Sequence, residues 1–186
     1  MRRAGILGTG IVAIAAVFLA GCTFIRIDEH TRWGCGPFRY EINSERATED
    51  HVEAVHRAVA SYASIIHREP EFVGFTDDRR SSGQRPPDAP VLIEWYWDHE
   101  AEHESMGFAE AFAVGDRYVG GSVYLRPSDA PMPSWLVERL TMHELGHIGG
   151  LDDVDALDEI MNPALTTADW GDGDLVGLIL THESCG

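Results

Sequence analysis

The chain has little positive charge and no lysine. Its 14 basic residues are all arginine, and they are outnumbered by 31 acidic residues, which gives a formal net charge of −17. Such a charge opposes binding to nucleic acid and to anionic membrane surfaces. The sequence also has no internal repeat, and its length suits one domain with a core of ordinary size. We therefore expect a monomer with one main domain that does not bind nucleic acid.

One segment has the residue spacing of a catalytic metal site. Residues 143–153 read His-Glu-Leu-Gly-His-Ile-Gly-Gly-Leu-Asp-Asp. On a helix, His143 and His147 lie one turn apart, so both imidazoles leave the same face and can reach one metal ion. Glu144 follows the first histidine, where its carboxylate can act as general base toward a water molecule at the metal. The segment therefore predicts two zinc ligands and a catalytic base.

A third ligand is expected after the helix. Gly149 and Gly150 can end the helix, because glycine accepts the left-handed conformation that turns the chain sharply. The turn can bring Asp153 back to the metal, while Asp152 and Asp155 are competing candidates. Three protein ligands leave the fourth zinc position for water, which is typical of a catalytic rather than a structural site.

The segment resembles the zinc motif of the metzincin proteases, HExxHxxGxx(H/D), in the form that ends with aspartate. Only Asp153 has the metzincin spacing, so the resemblance implies that His143, His147 and Asp153 bind one catalytic Zn²⁺. Metzincins also carry a methionine in a tight turn beneath the zinc. Met161, followed two residues later by Pro163, matches this Met-turn, although a methionine taken alone more often fills a core.

A looser similarity to the matrixin catalytic domain, within the metzincins, covers about residues 33–182. It implies an α+β, zincin-like fold with a twisted mixed β-sheet, an active-site helix and two further helices. The segments that carry the similarity are residues 38–43, 72–75, 108–112, 120–125 and 174–178.

The resemblance also assigns residues to substrate binding. An extended peptide would lie along an edge strand and add a strand to the sheet. A pocket after the Met-turn would hold the side chain that follows the scissile bond. The edge-strand residues are Gly121, Ser122, Val123, Tyr124 and Leu125, and the pocket residues are Pro163 and Leu165.

Matrixins usually hold a structural zinc, and calcium, in the loops before the zinc helix. Here His99 and His103 lie in an acidic stretch, but Glu110 and Tyr124 stand at the later histidine positions of that pattern. Two interpretations of this stretch therefore remain: a site for structural Zn²⁺ or Ca²⁺, and a solvated acidic loop that binds no metal.

The N-terminal residues have the three parts of a bacterial lipoprotein signal. Arg2 and Arg3 precede an uncharged apolar run over residues 4–20, as in a secretory signal. Leu19-Ala20-Gly21-Cys22 resembles the lipobox, in which the cysteine is lipidated and the chain is cut just before it. An uncleaved membrane anchor is the alternative, because the run is near the length that could span a bilayer.

These features divide the chain into three parts. We predict a signal peptide over residues 1–21, a lipidated Cys22 with a short tether over residues 22–37, and a catalytic domain over residues 38–186. The lipid would anchor the protein in the cell envelope, with the catalytic domain outside the cytoplasmic membrane.

Two cysteines remain if Cys22 is lipidated. Cys35 and Cys185 could pair in an oxidising compartment, and the matrixin resemblance places the start of the domain near the C-terminal helix. Alternatively, Cys35 resembles the zinc-blocking cysteine of matrixin propeptides.

The expected activity is hydrolysis of peptide bonds in peptide or protein substrates by a lipid-anchored zinc endopeptidase. One alternative is a catalytically silent lipoprotein that keeps the metal and serves as a binding module. Another is a zinc hydrolase that acts on a non-peptide amide. The presence of Glu144 at the catalytic position favours an enzyme.

Overall fold

The computed structural model of the protein describes residues 16–19, 22–28, 30–79, 86, 88–95, 106–126 and 132–182. These residues form nine strands and three helices. The strands are β1 (Ala16–Leu19), β2 (Cys22–Arg26), β3 (Arg32–Trp33), β4 (Phe38–Asn43), β5 (Pro70–Phe75), β6 (Val91–Trp95), β7 (Gly107–Val114), β8 (Arg117–Leu125) and β9 (Leu151–Asp152). The helices are α1 (Glu49–Ile65), α2 (Ser134–Ile148) and α3 (Asp172–Thr181).

Most strands join one six-stranded sheet. Its order is β3-β8-β6-β4-β5, and β7 pairs with β8. The pairs along this order are parallel, whereas β7 runs antiparallel to β8. All five residues of β6 are buried, as is typical of an apolar strand in a parallel sheet with both faces covered. The predicted α+β class is confirmed at this level, as a mostly parallel sheet with three helices.

The metal-site helix is held by the other large helix and by the sheet. Thr48 caps α1 by accepting a hydrogen bond from the backbone N–H of His51, and Val55, Val59 and Tyr62 form the buried stripe of that helix. Helix α1 packs against α2, and α2 packs against β7 and β8. The chemistry-bearing face of α2 therefore belongs to a rigid element.

The structure corrects the predicted edge strand. Residues Ser122–Leu125 pair with β6 on one side and with β7 on the other, so the segment from Gly121 to Leu125 is interior to the sheet. The chain reverses after β7 at Gly115, which has a φ of +65°. That hairpin places β7, the strand preceding β8, on the outside. The prediction that Gly121–Leu125 forms an edge is wrong, and both β7 and β8 pack against the metal-site helix.

The predicted tether is also corrected. Strand β2 pairs with β9 through Ile25↔Asp152 and Arg26↔Leu151, and β1 pairs with β2. Phe24 is only 2% exposed. Within the predicted tether of residues 22–37, residues 24–26 therefore pack on the domain, because Phe24 is buried and β2 pairs with the segment that follows the metal-site helix. No helix in the described ranges is long and apolar enough to cross a membrane.

Candidate metal centre

Helix α2 carries three of the predicted site residues. His143, Glu144 and His147 lie in its last two turns. The two imidazole rings meet edge to face with centroids 4.8 Å apart, and their Nε2 atoms are 3.2 Å apart. The i, i+4 spacing thus directs both nitrogens to one point, as predicted.

A tight turn after the helix brings in the third predicted residue. Gly150 takes the left-handed conformation with a φ of +91°, while Gly149 remains right-handed. After this turn, Asp153 Oδ1 lies 3.3 Å from His143 Nε2 and 3.5 Å from His147 Nε2. In the part of the chain that the structure describes, these three residues are the group that could hold a metal ion, and Asp152 and Asp155 are outside it.

The spacing of the three ligand atoms fits a tetrahedral ion. Bonds of about 2.0–2.1 Å, as zinc makes to nitrogen and oxygen, give edges of roughly 3.3–3.4 Å in a tetrahedron. The three observed separations are 3.2, 3.3 and 3.5 Å. Two imidazoles and one carboxylate could therefore hold one metal ion with a fourth position left for water.

Backbone carbonyls fix the orientation of both imidazoles. His143 Nδ1 donates to the carbonyl of Ile160 at 2.9 Å, and His147 Nδ1 donates to the carbonyl of Leu151 at 2.9 Å. A carbonyl can only accept, so Nδ1 carries a proton on each ring, which makes Nε2 the atom that a metal ion would bind in place of a proton. Such bonds hold the ring and the tautomer that a metal needs.

Contacts within the group shift the pKa values of Asp153 and His147. Hydrogen bonds from His143 and His147 hold the pKa of Asp153 well below its usual range. Burial lowers the pKa of His147, but the hydrogen bond with Asp153 and the charge of Glu144 outweigh burial and raise the pKa overall. The carboxylate is therefore ionised, and a metal ion has to compete with a proton for His147, so metal affinity falls in acid.

Glu144 lies beside the ligands in a dry environment. Burial raises its pKa to about 7, against the opposing influence of His147 and His143. Its Oε2 is buried and has no hydrogen-bond partner among the described residues. Gly107, at the start of β7, leaves room for this carboxylate, since a Cβ there would collide with Glu144 Oε1. The sequence gives no signal for this role of Gly107.

Met161 lies directly beneath the helix between the two histidines. It is 1% exposed, and a Cβ on Gly146 would collide with its sulfur. The backbone N–H of Val154 donates to the carbonyl of Met161 at 3.0 Å, which ties the turn to the residue after Asp153. Met161 thus packs against the helical turn that carries the two histidines, and its assignment as a Met-turn stays a prediction.

Two buried carboxyl groups hold this turn, and sequence reasoning missed both. Asp174 accepts hydrogen bonds from the backbone N–H groups of Ile160 at 2.5 Å and Gly171 at 3.0 Å. Glu159 accepts from the N–H groups of Gly173 and Asp174, both at 2.8 Å. The two acids therefore join the methionine turn to the first turn of α3, where carboxylates are favoured by the helix dipole. The two acids are 15 residues apart, in separate elements, so no helix or strand periodicity relates them.

A cleft of about 420 Å³ opens over the ligands. Pro163 and Leu165 line it, as predicted, and so does Gly107. Its other lining residues, apart from the site residues, are Ile27, Met106, Phe108, Ala109 and Leu140. The predicted residues Gly121 to Leu125 are not in this lining, and Gly121 instead packs closely against Ile148 and the backbone of β7. The cleft is thus largely apolar around a charged centre.

The remaining predicted sites fall partly outside the described residues. Cys35 is disulfide-bonded, which contradicts the alternative that it blocks the zinc as a thiolate. Cys185 lies outside the described residues, so the pair Cys35–Cys185 stays a prediction, although Trp33 and His182 form a β-bridge nearby. His99 and His103, the candidates for a structural metal, also lie outside, as does most of the predicted signal peptide.

No protein-family model matches the chain, and no curated protein is significantly similar to it.

Proposed function

We propose that the protein is a zinc endopeptidase of the matrixin-like metzincin type, anchored by lipid on Cys22 outside the cytoplasmic membrane. One observation carries the proposal: His143, His147 and Asp153 present three ligand atoms at tetrahedral separations, and the buried carboxyl of Glu144 lies beside them. Three protein ligands with an adjacent carboxyl group are the requirements of a zinc hydrolase.

The mechanism divides between the metal and Glu144. A zinc ion held by the three residues supplies Lewis acidity, which polarises a carbonyl oxygen and makes a water molecule more acidic. Glu144 takes a proton from that water and then delivers it to the amine nitrogen that leaves. In the metal-free site, burial raises the pKa of Glu144 to about 7, which brings this carboxyl toward the operating pH, where a general acid–base works best. Met161 and the carbonyls of Ile160 and Leu151 hold the ligands in place.

The position of β7 supports a peptide as substrate. Among the described strands, β7 pairs with β8 alone, and its first residues line the cleft. An extended peptide could add to such an edge by backbone hydrogen bonds. Pro163 and Leu165 also line the cleft and would contact an apolar side chain of the substrate.

Metal analysis combined with peptide cleavage tests the proposal. The full chain should contain one zinc and cleave members of a peptide library, and a chelator should stop cleavage. His147→Ala should lose the zinc, because two ligands hold it poorly. His67→Asn is the matched control, since His67 is exposed with a φ of +53° that asparagine tolerates.

Three outcomes would contradict parts of the proposal. A His147→Ala protein that is fully loaded with zinc would remove that residue from the ligand set. Zinc binding without any cleavage would favour the binding module. Cleavage of small amides but of no peptide would favour the non-peptide amidohydrolase.

A further inference from the structure

We propose that the segment that precedes β4 sets the metal affinity of the site, because it holds the turn that presents Asp153. We call residues 24–28 and 30–33 the N-terminal strap, and residues 148–153 the ligand turn. The inference rests on the proposed metal site but not on peptidase activity.

The ligand turn serves two of the three metal ligands. It carries Asp153 itself, and the carbonyl of Leu151 receives the hydrogen bond that orients His147. The turn is short and contains Gly150 in the left-handed conformation. Glycine leaves the backbone more freedom than any other residue, so contacts outside the turn have to fix its geometry.

The strap supplies those contacts at successive points. The indole Nε1–H of Trp33 donates to the carbonyl of Ile148 at 2.7 Å, the last residue of α2. The backbone N–H of Ile27 donates to the carbonyl of Gly150 at 2.9 Å. Arg26 then pairs with Leu151 in the β2–β9 ladder. The C-terminal carbonyls of a helix need such partners, since no helical N–H follows them.

Packing keeps the strap in this position. Phe24 and Leu151 both press against α3 at Gly177, where an added Cβ would lie 3.1 Å from the Phe24 ring and 2.6 Å from Leu151 Cδ2. The ring of Trp33 stacks on Tyr118 with centroids 5.6 Å apart. The strap therefore contacts α3 through Phe24 and the sheet through Trp33. Ile27, also in the strap, lines the metal cleft.

Loss of these hydrogen bonds should therefore act on the metal. If the hydrogen bonds from the strap to Ile148 and Gly150 are lost, the ligand turn can move, and Asp153 and the carbonyl of Leu151 move with it. Substitution of residues that hydrogen-bond and orient metal ligands typically lowers metal affinity about 10–100-fold. The predicted cleavage before Cys22 removes β1 but keeps every strap contact described above, so the mature chain would retain this control.

Two variants of the full chain remove one hydrogen bond each. Trp33→Phe keeps an aromatic ring but loses the N–H donor to Ile148. Ile27→Pro loses the backbone donor to Gly150, and Ile27→Ala is its control because it keeps that donor. Trp135→Phe is the control for the first variant, since Trp135 lies at the other end of α2 and is 55% exposed.

The measurements separate metal affinity from folding. Zinc dissociation constants come from competition with a chromophoric chelator, and the visible spectrum of the Co²⁺ form reports ligand geometry. Thermal unfolding of the metal-free proteins selects a temperature at which each variant is folded. We expect Trp33→Phe and Ile27→Pro to weaken zinc binding about 10–100-fold and to alter the Co²⁺ spectrum, with both controls within twofold of wild type.

Each other outcome has a definite meaning. Wild-type affinity and spectrum in a folded Trp33→Phe protein overturn the proposal, and that variant decides if Ile27→Pro does not fold. Equal weakening by Ile27→Ala and Ile27→Pro overturns the role of the backbone donor. A wild type that binds zinc but cleaves no peptide removes the proposed function and leaves the strap intact, whereas a wild type that binds no zinc removes both.

Discussion

Glu144 differs from the other acid of its helix, Glu138, in having almost no contact with water. It is 3% exposed, whereas Glu138, two turns earlier, forms a surface ion pair with Arg57 at 2.8 Å. Burial shifts the pKa of Glu144 upward, so the same residue type can serve chemistry at one position and solubility at the other.

We predict that Glu144→Gln keeps zinc and fold but loses about 10²–10⁴-fold in kcat, the usual contribution of a general acid–base. Glutamine has the same shape and cannot take up the proton. Glu138→Gln is the matched control and should keep wild-type kcat, because an exposed ion pair contributes little. Steady-state kinetics with metal analysis decide the matter, and a Glu144→Gln enzyme within a few-fold of wild type would remove Glu144 from the proposed mechanism.

At the scale of elements, the two buried acids determine how the methionine turn and α3 fit together. Burial and the nearby carboxyl of Glu159 raise the pKa of Asp174, so the pair retains a proton that solvated carboxyl groups would release. The methionine turn also contacts the metal site, because the carbonyl of Ile160 accepts a hydrogen bond from His143.

We predict that Asp174→Ala lowers the free energy of unfolding by about 3 kcal/mol, since two buried N–H groups lose their acceptor. Asp174→Asn should cost only about 1 kcal/mol, because its amide oxygen can still accept. Urea unfolding of the metal-free protein measures both. Asp172→Asn, an exposed residue in the same helical turn, should change stability by less than about 1 kcal/mol. Equal losses for alanine and asparagine would contradict this account of the turn.

The sequence predicts the parts of the site that depend on local spacing. The two histidines and Glu144 lie on one helix, and Asp153 follows through a glycine turn, so the periodicity of a helix and the properties of glycine suffice to bring them together. The α+β class was implied by the resemblance to matrixins. The position of Met161 was predicted by resemblance alone. In the structure, Gly146 leaves the space that the sulfur of Met161 occupies, because a Cβ at residue 146 would collide with it.

Features formed by distant segments could not be predicted in this way. The pairing of Arg26 with Leu151 has no local signature, so residues 22–37 look like a polar tether when taken alone. The strands β7 and β8 are both apolar, and nothing in their composition indicates which becomes the outer one. Which strand is at the edge depends on the position of the hairpin, which is a property of the assembled sheet.

At the scale of the whole molecule, His182 joins the end of α3 to α1 and to the N-terminal segment. It donates to the carbonyl of Leu178 at 2.7 Å, and Tyr62 lies within hydrogen-bond distance of its other nitrogen. Burial lowers the pKa of His182 from 6.5 to about 4. Folding therefore favours the neutral form of the His182 imidazole. Above pH 6.5 this imidazole is neutral in both the folded and the unfolded protein. As the pH falls from 6.5 toward 4, the unfolded protein takes up a proton there and the folded protein loses stability.

We predict that acid destabilises wild type more than His182→Gln, which cannot titrate. Between about pH 8 and about pH 5, the difference in unfolding free energy between the two proteins should change by about 2 kcal/mol. Urea unfolding with chelator present measures it, because other titrating groups such as Asp174 contribute equally to both proteins and cancel. Parallel pH profiles for the two proteins would show that His182 is not the titrating group.

We also predict that the mature protein begins at a lipidated Cys22. Mass spectrometry of membrane-extracted protein should find an N-terminal peptide that starts at Cys22 and carries acyl chains, and two or more chains would hold it stably. Cys22→Ser should abolish the modification, while Thr23→Ala should retain it. An unmodified Cys22, or a different first residue, would contradict the lipid anchor and leave the metal site unaffected.

The contact between Trp33 and Ile148 joins residues 115 positions apart, and this separation affects when the protein becomes functional. The chain loses conformational entropy when a loop of that length closes, and it does so before the contact can stabilise it. Such long-range contacts therefore tend to form late in folding. A partly folded chain could form α2 and its two histidines but would still lack a fixed Asp153. On the proposed export route, the choice of metal would then be made where folding ends, outside the cytoplasmic membrane, from the ions present there.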